Sequence, residues 1–518
     1  MSEYRKISCK SLNGLKVTVH PSCTMKDEDL ERELHTGIMQ MVMFDGKPIE
    51  HILRIEASRP DDMKGTKVPM CIVAADVYAY SVTAILLTAN TGNLKEQLKL
   101  HEESPVYEKW EVDFTRAVLA LAEEFDFVKS INICEAALHD TPANIFALRL
   151  AFVMYLLAAD FEGMEATMTR LSEYYKEAGE LAAFWPYVYQ FAAYAKDECG
   201  KKAEAIQMTQ VVAAAVMESR AAGVKVDGKL VTHASLAHTL MHIYEFEPEK
   251  ALQELEKVND LWVDTSLTGH IYWHRMLGYY DLGHIDKAFE LYDESVRRFA
   301  PERTLDVFAL CDCTAFLFRA YIEGNLDKKD PRIQRMYDEW TFQSKKEDCL
   351  IIRGLPRTAH IPFLDVHLRA IQYIAGDADD GTNRTAIKNA MQQDLNALSA
   401  VSKESALLKE SSVQRDILVS FLFSTTAALE EDFAMAAKTF GSAKQKKQFR
   451  WMGGSNAQRE LLERGLVHYI TRAGSVCDPS VREPVLEETR HMAQHHPDQP
   501  YFTRAVAAME AAANHGKL

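Results

Sequence analysis

The chain has 518 residues, of which 47% are hydrophobic and 26% are charged, and its formal net charge at pH 7 is −16. These proportions are those of a globular protein with a large core, and they exclude a chain dominated by disorder. An acidic surface repels nucleic-acid backbones and anionic lipids, so we expect neither nucleic acid nor membrane as a partner.

The cysteines and the N-terminal segment indicate a location. Nine cysteines lie between Cys9 and Cys477 without any C-x-x-C pair, an arrangement typical of a reducing compartment rather than of a disulfide framework. The first residues hold no apolar core of signal-peptide length. The longest apolar run, around Val82 to Ala89, is too short to span a bilayer. We therefore expect a cytoplasmic protein.

Helix-forming residues dominate the chain, and alternating β-branched runs are nearly absent after Val19. The sequence predicts an all-α fold in three parts. Residues 1–105 form a helical capping region, with helices near Asp27–Val42 and Val73–Thr88. Residues 106–301 carry the repeats. Residues 302–518 form long helices that complete the array, interrupted at 354–356, at 376–381 and at Gly453-Gly454.

Three segments match the helix–turn–helix pattern of a tetratricopeptide repeat, which recurs about every 34 residues. In this pattern small residues let two helices pack closely, aromatic residues fill the remaining space, and glycine turns the chain. The positions are Trp110, Ser130, Ala137 and Pro142; Tyr187, Gly200, Ala205 and Val212; and Trp273, Tyr279, Gly283, Ala288, Tyr292, Ser295 and Pro301. A divergent unit, 233–261, lies between the second and third segments. We expect a tetratricopeptide-like α-solenoid curled around a central polar pocket.

Two histidine pairs carry the chemistry of this array. His238 and His242, with Glu245 one turn further on, and His270 and His274 lie four positions apart, so each pair shares one face of a helix. Imidazole is a general base near neutral pH and a ligand for zinc, iron or copper, so a divalent metal is a candidate cofactor. Partly buried structural histidines are the ordinary explanation of one such pair. For two pairs in consecutive units, a functional site explains the pattern as well as a structural role does.

Further polar residues are candidates for the same pocket. Asp365 and His367 do not face each other on a helix, so each would have to complete a pocket formed by other helices. Ser455 and Gln458 form a capping box after a glycine turn, which is a structural explanation of that segment. The same turn, with Arg459, presents donors for a carboxylate or phosphate.

The segments HTLMHIYE (238–245), HIYWH (270–274), LGHIDKAFELYD (282–293), Asp365-x-His367 and GGSNAQRE (453–460) resemble the tetratricopeptide repeat protein 38 family. The similarity extends from about Glu33 to about Leu466. Tyr244 stands where the family's familiar pattern has histidine, and 61–68 resembles an insertion. The resemblance implies that the same His, Glu, Asp and Arg residue types recur at the matched positions in the family's pattern. It admits enzymes of specialised metabolism but implies no particular reaction.

Two functions follow from these observations. The first is an enzyme that acts on a small polar or anionic molecule by acid–base or metal-assisted elimination, isomerisation or hydrolysis. Its candidate catalytic residues are His238, His242, Glu245, His270, His274, Asp365 and His367, and its candidate substrate contacts are Ser455, Gln458, Arg459, Trp273 and Tyr244. The four histidines of the two pairs are the candidate metal ligands. The alternative is a non-catalytic scaffold whose concave groove binds a peptide or protein partner.

Overall fold

The protein is an all-α, tetratricopeptide-like solenoid with short β-hairpins. The computed structural model describes residues 4–44, 47–64, 66, 68–86, 91–124, 126–226, 229–263, 265–297, 307–344, 351–352, 355–356, 361–379, 382–401, 412–445 and 449–514. The chain divides into two compact units. Unit 1 comprises Met1–Ile243 and Lys257–Thr268, and unit 2 comprises Tyr244–Glu256 and Gly269–Leu518.

Unit 1 opens with an antiparallel hairpin that the sequence analysis did not predict. Strands β1 (Arg5–Cys9) and β2 (Leu15–Val19) pair so that Arg5 lies opposite Val19. The hairpin is held to the helices by Glu111, whose carboxylate accepts hydrogen bonds from the Thr18 backbone N–H at 2.8 Å and from its hydroxyl at 2.5 Å. A buried carboxylate of this kind is stable because its oxygens are paired.

Eleven helices of unit 1 are described. They are α1 (Asp27–Met43), α2 (Pro48–Ala57), α3 (Ile72–Leu86), α4 (Gly92–Glu103), α5 (Lys109–Leu119), α6 (Phe127–Asp140), α7 (Ile145–Ala158), α8 (Phe161–Glu177), α9 (Trp185–Glu198), α10 (Lys202–Ala221) and α11 (Ala234–Ile243). The short strands β3 (Lys225–Val226) and β4 (Lys229–Leu230) pair before α11. The predicted helix near 27–42 is confirmed as α1, and that near 73–88 is confirmed up to Leu86.

The helices α5/α6, α7/α8 and α9/α10 are the helix–turn–helix pairs of unit 1. Each second helix packs on its predecessor and on the helix that follows. Ser130 and Ala205, the predicted small residues, are fully buried, and Gly200 turns the chain between α9 and α10 at φ +75°. Caps define the starts: the Asn144 side chain accepts the Ala147 N–H, and Asp160 accepts that of Gly163. The predicted repeat pattern is thus confirmed here.

The remaining helices run through unit 2, apart from the few residues of α12 and α13 that unit 1 includes. They are α12 (Pro248–Lys257), α13 (Thr268–Asp281), α14 (Ile285–Leu291), α15 (Val307–Ile322), α16 (Pro331–Ser344), α17 (Pro362–Ala378), α18 (Thr382–Val401), α19 (Ser412–Leu429), α20 (Phe433–Gln445), α21 (Asn456–Ala473), α22 (Pro479–His495) and α23 (Pro500–Asn514). Strands β5 (Ile351–Ile352) and β6 (Leu355–Pro356) form a third small hairpin.

The core of unit 2 is built around α15 and α17, which pack on each other, with α21 against α15 and α19 against α17. Gly283 turns the chain between α13 and α14 at φ +82°, and Ala288 is fully buried, as the repeat pattern predicts. The predicted interruption at Gly453-Gly454 is confirmed before α21. Pro301, Gly354 and residues 380–381 lie outside the described residues, and the three-part domain division stays a prediction. In the part of the chain described, no helix has the length and apolar character needed to cross a bilayer.

Candidate functional site

The first histidine pair lies on α11, as predicted. His238 and His242 point the same way, and their Nε2 atoms are 3.0 Å apart, so one N–H donates a hydrogen bond to the other nitrogen. Tyr194 of α9 stacks on the His238 ring at 5.5 Å and meets the His242 ring edge-on at 5.1 Å. His242 is 2% exposed. The two imidazoles therefore form one polar group against an aromatic wall.

The second pair lies on α13. The His270 and His274 rings are 4.8 Å apart between centroids, and Trp273 stacks on His270 at 5.2 Å. Trp273 is fully buried, which agrees with its place at the aromatic packing position of the repeat. Its role as a substrate contact stays a prediction. The stacked indole fixes the plane of the His270 ring.

A buried carboxylate orients His270. Its Nδ1 lies 2.7 Å from Oδ2 of Asp312, which sits on α15 and is 3% exposed. The other carboxylate oxygen accepts a hydrogen bond from the Gln458 side-chain amide at 3.3 Å. The Asp312 carboxylate thus favours the tautomer of His270 that carries a proton on Nδ1, in which Nε2 holds the lone pair.

Asp312 lies beside His270 and is not among the candidate residues that the sequence indicated. Its signal was a lone acidic residue within the apolar run VFALCDCTAFLF (307–318). Acidic residues are rarely buried unless they are paired, so an acid in such a run indicates a specific partner.

His367 is fully buried on α17. Its Nδ1–H donates to the Phe363 carbonyl at 2.8 Å, so Nε2 carries the lone pair, and that nitrogen has no hydrogen-bond partner. Burial lowers the pKa of His367 to about 4, while the charge of Asp312 acts in the opposite direction. His367 is therefore a neutral imidazole under the influence of the carboxylate that orients His270.

Asp365, two positions earlier, is committed elsewhere. Its carboxylate forms a bidentate ion pair with Arg369 at 2.9 and 3.1 Å, and both side chains are buried. Arg369 also donates to Asp394 at 2.6 Å. The prediction that Asp365 and His367 do not face each other is consistent with these separate partners. The catalytic role of Asp365 stays a prediction, since its carboxylate already neutralises a buried guanidinium.

The glycine turn before α21 has the predicted capping box: Ser455 accepts from the Gln458 backbone N–H, and the Gln458 side chain accepts from the Ser455 N–H at 3.1 Å. Arg459 donates to the Gly454 carbonyl and to the Asn456 side chain. These contacts hold Arg459 to its own turn. The expectation that it binds a substrate anion stays a prediction.

Glu245 requires a correction. Helix α11 ends at Ile243, so Glu245 lies in the turn that follows and does not continue the helical face of His238 and His242. Its backbone carbonyl accepts a hydrogen bond from the Gln499 side chain at 2.9 Å. Neighbouring Tyr244 is 6% exposed, with the Lys250 ammonium 4.1 Å from its ring centre.

A separate cavity of about 410 Å³ opens in unit 2, and no predicted site residue lines it. Its walls include Lys328, Asp377, Arg464, His468 and Arg472. Lys328 and Asp377 form an ion pair at 3.0 Å across part of this wall. The cavity is therefore distinct from the surroundings of His270 that the sequence indicated.

No protein-family model matches the chain. Among solved structures, it is similar to the crystal structure of the P58(IPK) TPR domain, with 10% sequence identity and a TM-score of 0.17. That match covers 82% of this chain and 99% of the other. The helix–turn–helix pairs themselves define the class: this is a tetratricopeptide-like helical repeat protein.

Proposed function

We propose that the protein is an enzyme that acts on a small polar or anionic molecule through its oriented histidines. The observation that carries this proposal is the His270–Asp312 pair, in which a buried carboxylate at 2.7 Å fixes a partly exposed imidazole. Enzymes use this arrangement to hold the reactive nitrogen of a general base, or of a metal ligand, in one tautomer. A purely structural histidine does not require it.

Acid–base chemistry at His270 would use Nε2 as the proton acceptor. Neutral imidazole is suited to removing a proton in an elimination or isomerisation, or to activating water in a hydrolysis. His367 would add a second neutral ring to the site, and Gln458 would hold the carboxylate in place. Each such acid–base group supplies about 10²- to 10⁴-fold in rate.

Metal-assisted chemistry would use the same nitrogen as a ligand. We propose His238, His242, His270 and His274 as the ligand set, since each helix presents two neighbouring imidazoles on one face. An imidazole set suits zinc, iron or copper. Asp312 would then act behind His270, as carboxylates do behind many metal-bound histidines. A bound metal would supply a Lewis acid or activated water.

Burial supports a small-molecule ligand. His274 is 4% exposed, Asp312 is 3% exposed and His367 is fully buried. A groove that binds a peptide needs extended exposed surface, which these buried side chains do not offer, so we propose a small-molecule ligand. The eight cysteines that the structure describes are free thiols, which supports our proposal of a cytoplasmic location. We also propose membership of the tetratricopeptide repeat protein 38 family, supported by the sequence segments that hold His270 and Gln458.

Elemental analysis of the untagged native protein by inductively coupled plasma mass spectrometry tests the metal. The variants are the double substitution His238→Ala/His274→Ala and, as control, His139→Ala, whose side chain is 88% exposed on α6. We expect near-stoichiometric metal in the wild type and the control, and its loss in the double variant. Metal in all three proteins would contradict the ligand set.

If the wild-type protein is metal-free, we assign the site to acid–base chemistry. A ligand screen then tests whether the site binds a small molecule. Thermal unfolding is measured with a panel of small polar and anionic metabolites, in wild type and in His270→Gln. We expect at least one compound to stabilise the wild type and to lose that effect in the variant. Metal-free protein with no such compound would contradict the proposal and favour the interaction scaffold.

A further inference from the structure

We propose that unit 1 carries a binding site for a small carboxylate with an apolar or aromatic body, and that Arg149 of α7 is its anchor. Arg149 is 9% exposed, and its NH1 nitrogen has no hydrogen-bond partner. The structure gives it no carboxylate partner among the described residues. A buried cation without an anion is unfavourable, because burial removes water without replacing it.

Aromatic rings surround this guanidinium. Its central carbon lies 4.0 Å from the Phe44 ring centre, 5.5 Å from that of Phe191 and 5.9 Å from that of Phe152. Ring faces attract a cation, but they cannot accept the fork of N–H groups that a guanidinium presents. Burial also lowers the pKa of Arg149, with the Tyr80 hydroxyl acting in the opposite direction. The cage therefore holds the cation in place and leaves its hydrogen bonding incomplete.

Two other buried arginines, Arg369 and Arg464, provide an internal comparison. Arg369 pairs with Asp365 at 2.9 Å, and Arg464 pairs with Asp281 at 3.1 Å. At these two positions the fold supplies a carboxylate to a buried guanidinium. Arg149 has no such carboxylate among the described residues, so we assign its counter-ion to a ligand. Arg149, Arg369 and Arg464 are all buried, so Arg149 differs from the other two in its partner.

The composition of the cage selects the ligand. One guanidinium matches one negative charge, and its planar fork matches both oxygens of a carboxylate. The walls of Phe44, Phe152 and Phe191 favour an apolar or aromatic body over a sugar or a polyphosphate. A phosphate dianion would keep one charge uncompensated beside these rings. The class we infer is therefore an aryl or alkyl monocarboxylate.

The site adjoins the first histidine pair. Phe152 stacks on Phe191 at 4.6 Å and meets Tyr194 edge-on at 5.9 Å, and Tyr194 in turn stacks on His238. These residues come from α7, α9 and α11, the first helices of consecutive pairs. A carboxylate held at Arg149 would direct its body along these rings. That this ligand is the substrate rests on the proposed function, whereas carboxylate binding itself does not.

Benzoate tests the site on the full chain, with benzyl alcohol as its neutral counterpart and inorganic phosphate as the competing anion, at constant ionic strength. Binding is measured by calorimetry and by the shift in unfolding temperature. We expect benzoate to stabilise the wild type more than either comparison compound. Arg149→Met, which keeps volume and removes charge, should weaken benzoate binding about 30-fold or more, and Arg149→Lys should weaken it less. Arg170→Met, on the surface of α8, should match the wild type.

The ligand-free proteins separate a binding role from a structural one. Arg149→Met should unfold at the wild-type temperature or above it, because it removes an uncompensated buried charge, whereas Arg369→Met should unfold at a lower temperature. Benzoate binding that is absent in the wild type, or unchanged in Arg149→Met, would overturn the proposal. Asp45, which follows Phe44 in the sequence, lies outside the described residues. If Asp45→Asn destabilises the wild type but not Arg149→Met, the counter-ion is internal and the proposal fails.

These outcomes are distinguishable from failure of the proposed function. One outcome is benzoate binding that depends on Arg149 and does not change in His238→Ala. If the protein is then also metal-free and His270→Gln changes no ligand effect, it is a carboxylate-binding module without the proposed chemistry. If benzoate binding does not depend on Arg149 but the protein retains its metal, the proposed histidine site would still hold and this substrate class would not.

Discussion

Oδ2 of Asp312 lies 2.7 Å from Nδ1 of His270, although 42 positions separate the two residues in the chain. The carboxylate is held from its other side by Gln458, so it cannot turn away without losing that hydrogen bond. Orientation of one ring nitrogen by a buried acid leaves the other nitrogen pointing in a fixed direction. The relationship joins α13 and α15 into one polar centre.

Asp312→Asn tests this centre with little change of shape. The amide keeps the volume of the carboxylate but loses the charge that favours a proton on Nδ1. If the site holds a metal, we expect its affinity to fall about 10- to 100-fold. Competition with a colorimetric chelator measures the affinity, and Asp338→Asn, exposed on α16, is the control. Equal affinities in all three proteins would show that Asp312 does not act through His270.

Gly454→Ala tests the packing of the turn before α21. Gly454 has φ +72°, and an added Cβ would overlap the Phe363 ring. We expect unit 2 to lose about 2–4 kcal/mol, the sum of a left-handed backbone penalty and an overpacked contact. Gly283→Ala, at φ +82° in the same unit with open space around the added atom, isolates the backbone contribution. Chemical denaturation followed by circular dichroism measures both, and equal losses would mean that the Phe363 contact relaxes freely.

The sequence was sufficient for features that depend on local periodicity. The i,i+4 spacing places His238 on the same face as His242, and the capping box of Ser455 and Gln458 forms as its residue types require. The prediction that Glu245 shares this face was wrong, because α11 ends at Ile243 and Pro248 begins the next helix. A proline at that position is itself a signal that the preceding helix ends early.

Features that depend on tertiary packing were beyond the sequence. The partner of His270 lies on a helix whose distance is set by the repeat packing, so no spacing rule points to Asp312. The Asp365 ion pair is different. Arg369 follows Asp365 at i+4, a spacing that itself predicts the ion pair. The cage of Arg149 combines Phe44 of the first helical region with rings from two later helices, which only the fold brings together.

Arg464→Met tests the buried ion network of unit 2. Arg464 is 1% exposed and pairs with Glu323, with Asp281 at 3.1 Å and with Glu460 at 2.7 Å. Removing the cation leaves these carboxylates short of positive charge in a buried place, so we expect a loss of about 3–5 kcal/mol. Arg490→Met, which removes an ion pair on the surface of α22, should cost about 1 kcal/mol or less. Urea unfolding compares the two, and similar losses would show that the network is hydrated.

His233→Asn tests a pH dependence in unit 1. His233 is fully buried, stacks on Tyr187 at 4.2 Å, and accepts the Leu236 N–H at 3.1 Å at the start of α11. Burial lowers the pKa of His233 to about 3, from an ordinary value of 6.5. Between these values the unfolded chain binds a proton that the folded chain excludes. The free energy of unfolding therefore falls as the pH drops from 6.5 towards 3, and the stabilising contribution is complete above 6.5.

Asparagine keeps the capping acceptor for Leu236 but does not titrate, so it isolates this term. Between pH 7.5 and pH 5 we expect the wild type to lose about 2 kcal/mol more than His233→Asn, at 1.36 kcal/mol per pH unit below 6.5. His139→Asn, at an exposed position, should follow the wild-type curve. Urea titrations at each pH measure this difference. The stability that the variant loses from the missing ring is the same at every pH and cancels in the comparison. Parallel curves for the wild type and His233→Asn would mean that the imidazole is protonated within the folded unit.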